Sequence, residues 1–293
     1  MNLRASLVSI LLLTLAAWVP PLASGPVQQY EADLDEAGWS AGGGPFHCQL
    51  AQPIPQYGEA RFEVHAGGEL HFALEPRIRA AHRADTGDLS LRAPAWMQGR
   101  APEPLGRISL EDGRLPVWLG EPLASRLRQG LEQGMFPTLE YAVEAGQSRE
   151  IRVGVAPVGF KAAVTEFGEC IARMAPFGRD AVMPLVVHFE TAESDLSAAG
   201  RRELDRLLTY LSYAEDVAEI RIHGHADAQD RAVYNQFLSL DRAEAVKRYL
   251  AASGAPVDIL RTQAHGESDP VADNDTPEGR AANRRVRVEL INR

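Results

Sequence analysis

Two histidines and an aspartate stand at alternate positions of the segment IRIHGHADAQD, residues 220–230. They are His223, His225 and Asp227. Because successive side chains of a β-strand point to opposite faces, we expect all three to project from one face of a sheet. Two imidazoles and a carboxylate are the donor types of a transition-metal site, and they could equally form an electrostatic recognition site.

The metal hypothesis depends on the HGHAD sequence. It resembles the HxHxD part of the HxHxDH signature of metallo-β-lactamase-like hydrolases, but Ala228 stands where that signature has a further histidine. The remaining histidines, among them His188 and His265, lack the spacing that would complete a catalytic zinc site. A zinc hydrolase is therefore the alternative hypothesis. We expect no metal, no cofactor and no enzymatic activity, and histidines that are half-exposed or bonded to a neighbouring loop.

The recognition hypothesis depends on the helix predicted after this strand. Asn235, Ser239 and Arg242 are spaced by four and three residues, so they share a helical face. An aspartate and an arginine on two sides of a cleft are complementary to a zwitterion, since the carboxylate accepts from an ammonium and the guanidinium binds a carboxylate. The residues alone leave a plain Asp227–Arg242 salt bridge as the alternative.

The elements around these residues predict a two-layer α+β domain in the C-terminal part of the chain. Strands are indicated by the segments LVVHF, AEIRIHGHAD, DILRTQAHGE and RRVRVELI. Leucines at helical spacing predict a helix over AAGRRELDRLLTYLSY, and a second, longer helix ends at Gly254. The predicted order is βαβαββ, with the helices on one face of the sheet.

The N-terminal half indicates a mostly antiparallel β domain with one or two helices. The segment ARFEVHAGGELHFAL alternates on both sides of Gly67 and Gly68, which predicts a hairpin. A further strand is predicted over REIRVGVAPVGF and a helix over GEPLASRLRQGLEQG. This half shows no nucleophile motif, phosphate loop or metal-ligand spacing. We place the domains at residues 25–177 and 178–293.

The first residues have the pattern of a secretory signal peptide. Arg4 precedes an apolar run over residues 6–18, and small residues lead to a cleavage site near Ser24. An uncleaved anchor is the alternative, but the run is short and is followed by Pro20 and Pro21. We therefore expect residues 1–24 to be removed, the mature protein to be exported to the periplasm, and no later segment to cross the membrane. The net charge of −10 disfavours nucleic acid as a partner.

Cys48 and Cys170 are the two cysteines of the chain. An oxidising compartment favours a disulfide between them over two buried free thiols. Such a bond would close a loop of more than 100 residues, for which loop-closure entropy gives roughly 4 to 5 kcal/mol of stabilisation.

The C-terminal part resembles the OmpA-like peptidoglycan-binding domain along residues 183–291. The residues that carry the resemblance are the aspartate of HGHAD, the asparagine of YN, the LSxxRA helix, and the closing NDTPEGRAANRRV. The resemblance implies that Asp227 and Arg242 bind the amino and carboxylate groups of diaminopimelate in peptidoglycan. It also implies that Asn235 and Arg284 line the pocket.

The N-terminal half resembles the N-terminal domain of the MotY family. The segments that carry this resemblance are CQLAQPIPQYGEARFEV, APAWM, GMFPTLEY and FGECIARMAPFGRD. It implies a periplasmic component of the flagellar motor, whose N-terminal domain lies in the T ring around the basal body, binds the partner MotX and helps stator units to assemble. The alternative is a peptidoglycan-binding envelope protein unrelated to motility.

Overall fold

The computed structural model describes residues 27–77, 85–97, 99–110, 117–145 and 147–293. The predicted signal peptide, residues 1–24, lies outside the described residues. Buried apolar side chains form two hydrophobic cores, one from residues 48–167 and the other from residues 182–290. The predicted α+β class is confirmed, with a mostly antiparallel N-terminal half.

Two five-stranded sheets form the described part of the N-terminal half, in the orders β1-β10-β9-β6-β7 and β2-β3-β4-β5-β8. Among the described pairs of this half, β1 with β10 is parallel and the others are antiparallel. The strands are β1 (Val27–Tyr30), β2 (Ser40–Gly44), β3 (His47–Ile54), β4 (Gly58–His65), β5 (His71–Pro76), β6 (Thr86–Arg92), β7 (Glu103–Ser109), β8 (Val117–Leu119), β9 (Phe136–Ala145) and β10 (Gln147–Gly154).

The predicted hairpin is formed by β4 and β5, where Phe62 pairs with Phe72 across the strands and their ring centroids are 5.0 Å apart. Gly67 takes a φ of +78° in the connection, a conformation that glycine adopts without steric cost. The described part of this half also contains the helices α1 (Leu123–Glu132) and α2 (Phe160–Ala172). A disulfide joins Cys48 of β3 to Cys170 of α2, with Cα atoms 6.0 Å apart, as predicted.

The C-terminal half is a four-stranded sheet in the order β11-β14-β12-β13, covered by helices. Its elements are β11 (Leu185–His188), α3 (Ala198–Leu211), β12 (Val217–Gly224), α4 (Ala232–Ala252), β13 (Leu260–Ala264), α5 (Pro277–Asn283) and β14 (Arg285–Asn292). The predicted βαβαββ order is present, with α5 added before the last strand. Its start was readable in the sequence, since Thr276 caps the helix and Pro277 follows it.

Helix α4 lies unusually close to strand β12 at Gly224. A Cβ atom at this position would be 1.9 Å from the backbone oxygen of Ser239, so only glycine permits this contact. The close approach brings Arg242, one helical turn after Ser239, to the carboxyl end of β12. The packing of one helix on one strand thus sets the position of a predicted site residue.

The two halves touch through aromatic side chains. Phe46, in the turn between β2 and β3, stacks on Tyr210 of α3 with ring centroids 4.8 Å apart. The Arg206 guanidinium lies 5.7 Å from the ring of Phe177. Among the described residues, no helix is both long enough and apolar enough to span a bilayer.

Candidate functional site

Asp227 lies three residues beyond the end of β12, in the loop that leads to α4. Asp227 is 6% exposed, and its Oδ2 atom accepts a hydrogen bond of 2.9 Å from Nη1 of Arg284. Arg284 follows α5 and also donates from Nε to the backbone oxygen of Phe189 at 3.2 Å. Asp227 therefore pairs with Arg284, and the alternative of a plain Asp227–Arg242 salt bridge is not found among the ion pairs of the described residues.

Arg242 is fully buried, and its guanidinium donates hydrogen bonds to backbone oxygens. Its Nε donates to the oxygen of Glu193 at 2.8 Å, Nη1 to that of His225 at 3.0 Å, and Nη2 to that of Glu190 at 3.0 Å. Burial lowers the pKa of Arg242 to about 10, against the opposing effect of the Asp227 carboxylate. The guanidinium therefore stays charged at neutral pH and holds three loop carbonyls together.

Asn235 is 1% exposed and ties the beginning of α4 to two loops. Its Nδ2 donates to the backbone oxygen of Asp230 at 3.0 Å and to the Glu267 carboxylate. The asparagine therefore positions the loop that carries Asp227. Glu267 was not among the predicted site residues, although it is the Glu of the sequence HGE that follows β13.

A pocket of about 580 Å³ opens beside the Asp227–Arg284 pair. It lies between α5 and the segment from the end of β11 to the start of α3. Of the four predicted residues, Arg284 alone lines it, together with the acidic side chains of Glu190, Glu193 and Asp195. Arg284 therefore connects the predicted aspartate to a cavity whose acidic rim favours a cationic group.

Loop 271–276 is fixed against the Asp227 loop by residues that sequence reasoning missed. Asn283 is fully buried, and its Oδ1 accepts from the amides of Val271 at 2.8 Å and Ala272 at 3.1 Å. Its Nδ2 donates to Oδ1 of Asn274 at 2.9 Å, and that atom accepts from the amide of Ala228 at 3.2 Å. The signal in the sequence that could have identified this network is the segment NDTPEGRAANRRV, which contains both Asn274 and Asn283.

The histidines of HGHAD associate with a third histidine and not with Asp227. The rings of His225 and His265 stack with centroids 4.7 Å apart, and Nδ1 of His223 is 3.0 Å from Nε2 of His265. Among the described residues, these side chains do not form a group of three ligand atoms within 4.8 Å of one another. The geometry therefore does not favour the zinc-hydrolase hypothesis.

Models of two known protein families match the two halves of the chain. The family model of the MotY N-terminal domain matches residues 30–176, half of the chain. The chain belongs to the MotY family. The model of the OmpA family matches residues 188–284 of this MotY-family chain, a range that includes all four predicted site residues. Both resemblances inferred from the sequence are confirmed.

Individual relatives match the chain over different lengths. The sodium-type flagellar protein MotY of Vibrio parahaemolyticus is 27% identical over 248 residues, 84% of either chain. Outer membrane protein A of Bordetella avium is 35% identical over 117 residues, which are 40% of this chain and 60% of that protein. Among solved structures, the peptidoglycan-associated lipoprotein of Burkholderia pseudomallei is 27% identical, with a TM-score of 0.34, over 36% of this chain and 89% of that one.

Proposed function

We propose that this protein is a non-enzymatic component of the flagellar motor in the periplasm, anchored to peptidoglycan by its C-terminal domain. Its N-terminal domain docks on the basal body, binds a MotX-like partner and thereby supports stator assembly. The observation that carries the proposal is the union in one chain of a MotY N-terminal domain, residues 30–176, with an OmpA-family domain, residues 188–284.

The proposed ligand is the zwitterionic head group of diaminopimelate in the peptidoglycan stem. Asp227 accepts from its ammonium, which approaches through the acidic rim of Glu190 and Glu193. Arg284 donates to Asp227 and lines the pocket, which supports a role for it in binding the ligand carboxylate as well. The two charges of the head group are thus both compensated by side chains that are themselves only 9% and 12% exposed, those of Asp227 and Arg284.

Arg242 has a second part in this proposal. Three of its five N–H donors are bound to loop carbonyls. Its positive charge interacts with Asp227 from inside the domain and favours the ligand carboxylate at the pocket. Its hydrogen bonds to the backbone oxygens of Glu190 and Glu193 hold segment 190–193 in place. Asn235 contributes by fixing the Asp227 loop, so its role is to position the binding residues.

Binding of the protein to purified sacculi tests the peptidoglycan half of the proposal. We expect Asp227→Asn to lower the amount that sediments with sacculi by about tenfold or more, because a charge-assisted hydrogen bond contributes about 1.5–3 kcal/mol. The matched control is Asp241→Asn, the same change at an exposed position of α4. Equal sedimentation of the two variants would contradict the assignment of Asp227.

Swimming in soft agar tests the motor half with the same variants. Deletion of the gene is expected to impair swimming while filaments still assemble, and Asp241→Asn but not Asp227→Asn should restore it. Normal swimming after deletion, with sacculus binding intact, would instead support a wall-binding envelope protein unrelated to motility. The two assays therefore separate failure of the site from failure of the motor assignment.

A further inference from the structure

Three side chains of the types that bind metal ions meet on the outer face of an N-terminal sheet, outside the C-terminal pocket described above. His47 of β3 pairs directly with His65 of β4, and Glu63 precedes His65 by two residues on the same strand. One ligand atom from each of the three lies within 4.8 Å of the other two. The sequence of this half shows no metal-ligand spacing, because the three residues come from two strands and become adjacent only when those strands pair.

The strands hold these side chains on one face. Cys48 and Val64, the neighbours of His47 and His65, are buried in the core, so the two histidines point to the opposite face. Glu63 shares that face because it is two residues from His65. The disulfide at Cys48 ties β3 to α2 beside His47, which limits movement of the strand.

Glu63 is held in place by an arginine of the same strand. The residue is 6% exposed, and its Oε2 accepts a hydrogen bond of 2.6 Å from Nε of Arg61. Arg61 also binds Glu75 at 2.8 Å, so its charge is shared between two carboxylates.

The remaining ligand atoms are placed to reach an ion. Oε1 of Glu63 lies 3.3 Å from Nε2 of His65, whose side chain is 61% exposed and so has room to adjust. Neutral imidazole and a carboxylate are ligands of zinc, and Arg61 supplies the outer contact that orients the carboxylate.

We propose that His47, Glu63 and His65 bind one divalent transition-metal ion of the zinc class, with water at the open position. The ion would clamp β3 to β4 next to the contact between the two domains. Phe46, which stacks on Tyr210, directly precedes His47, and its oxygen accepts from the amide of Ala66 at 2.9 Å. Binding of the ion therefore stabilises the N-terminal domain at the edge that contacts the C-terminal domain.

Calorimetric titration of the tag-free, full-length protein with Zn²⁺ tests this proposal. We expect one ion per chain and a rise in the melting temperature followed by tryptophan fluorescence. Replacing the exposed ligand, His65→Gln, should weaken binding by about tenfold or more, since even outer-shell changes cost that much. A second variant, His47→Gln, should do the same.

The control is His71→Gln, because His71 lies on the same face of the neighbouring strand β5, opposite Glu63, but outside the group of three. It stacks on Trp118, and its Nδ1 contacts the backbone oxygen of Glu69. We expect this variant to bind Zn²⁺ as the unaltered protein does. The proposal is overturned if the unaltered protein binds no Zn²⁺, if His65→Gln and His47→Gln bind it with unchanged affinity, or if His71→Gln alone loses it.

Discussion

His225 is 2% exposed, and neither of its ring nitrogens has a hydrogen-bond partner among the described residues. Burial, followed by the positive charge of Arg285 and the proximity of His265, lowers its pKa to about 4, while Asp269 opposes the shift and His223 adds to it weakly. The imidazole is therefore neutral in the folded protein. Its backbone oxygen accepts a hydrogen bond from Arg242, so this histidine contacts the candidate site.

At the residue scale we predict that His225 makes the C-terminal domain acid-sensitive. The folded pKa lies below the unfolded value of about 6.5, so the contribution of this group to stability is complete above pH 6.5 and is lost as the pH falls towards 4. From pH 7 to pH 5 the loss is about 2 kcal/mol. Amide hydrogen exchange in β12 and β13 measures it.

The variant His225→Leu should show a shallower decline over the same pH range, because it removes the group that the unfolded state protonates. His188→Leu, which removes an exposed imidazole of β11, is the control and should retain the decline of the unaltered protein. Identical pH profiles for His225→Leu and the unaltered protein would contradict the prediction.

At the scale of elements, the contact between α4 and β12 decides where the site residues lie. Gly224 allows the helix to approach until a Cβ would overlap the oxygen of Ser239. The Ser239 hydroxyl then accepts from the amide of Gly266 at 2.9 Å, which joins the helix to the loop after β13. Hydrogen bonds from Arg242 extend the same contact to segment 190–193.

We predict that Gly224→Ala forces α4 away from β12 and destabilises the C-terminal domain. Overpacking of this kind costs about 1–3 kcal/mol. The control is Gly168→Ala in α2, where an added Cβ meets no atom within 4 Å and alanine favours the helix. Urea unfolding followed by circular dichroism should show a loss for the first variant and no loss for the second, and equal stabilities would contradict this account of the helix contact.

At the scale of the whole molecule, the two halves have separate hydrophobic cores, and the disulfide lies in the N-terminal half. The disulfide joins residues 122 positions apart within the N-terminal half. The two halves meet through the Phe46–Tyr210 stack. Removal of the disulfide should therefore weaken one core much more than the other.

We predict that the double variant Cys48→Ser, Cys170→Ser loses up to about 4–5 kcal/mol of N-terminal stability, because the unfolded chain regains loop entropy. Tryptophan emission reports this half, since Trp39, Trp96 and Trp118 all lie in it and residues 178–293 contain no tryptophan. Hydrogen exchange in β12 reports the other half and should change little. Equal losses in both halves would contradict the separation of the cores.

Much of the fold was predictable because local patterns specify local structure. Alternation around Gly67 predicted the β4–β5 hairpin, and the leucines of residues 204–211 predicted α3. The disulfide was predictable because two cysteines permit only one pairing. Helix α5 was missed, since seven residues are too few for a periodic pattern, although Thr276 and Pro277 signal its start.

The sequence by itself determined the family and the order of elements apart from α5, and it named four residues of the candidate site. Only the tertiary structure decided their partners: Asp227 pairs with Arg284, while Arg242 is buried against three carbonyls. It also brought His47 and His65 together across two strands. The physical reason is that spacing fixes which residues share a strand or helix face, whereas contacts between distant segments depend on how closely sheets and helices pack.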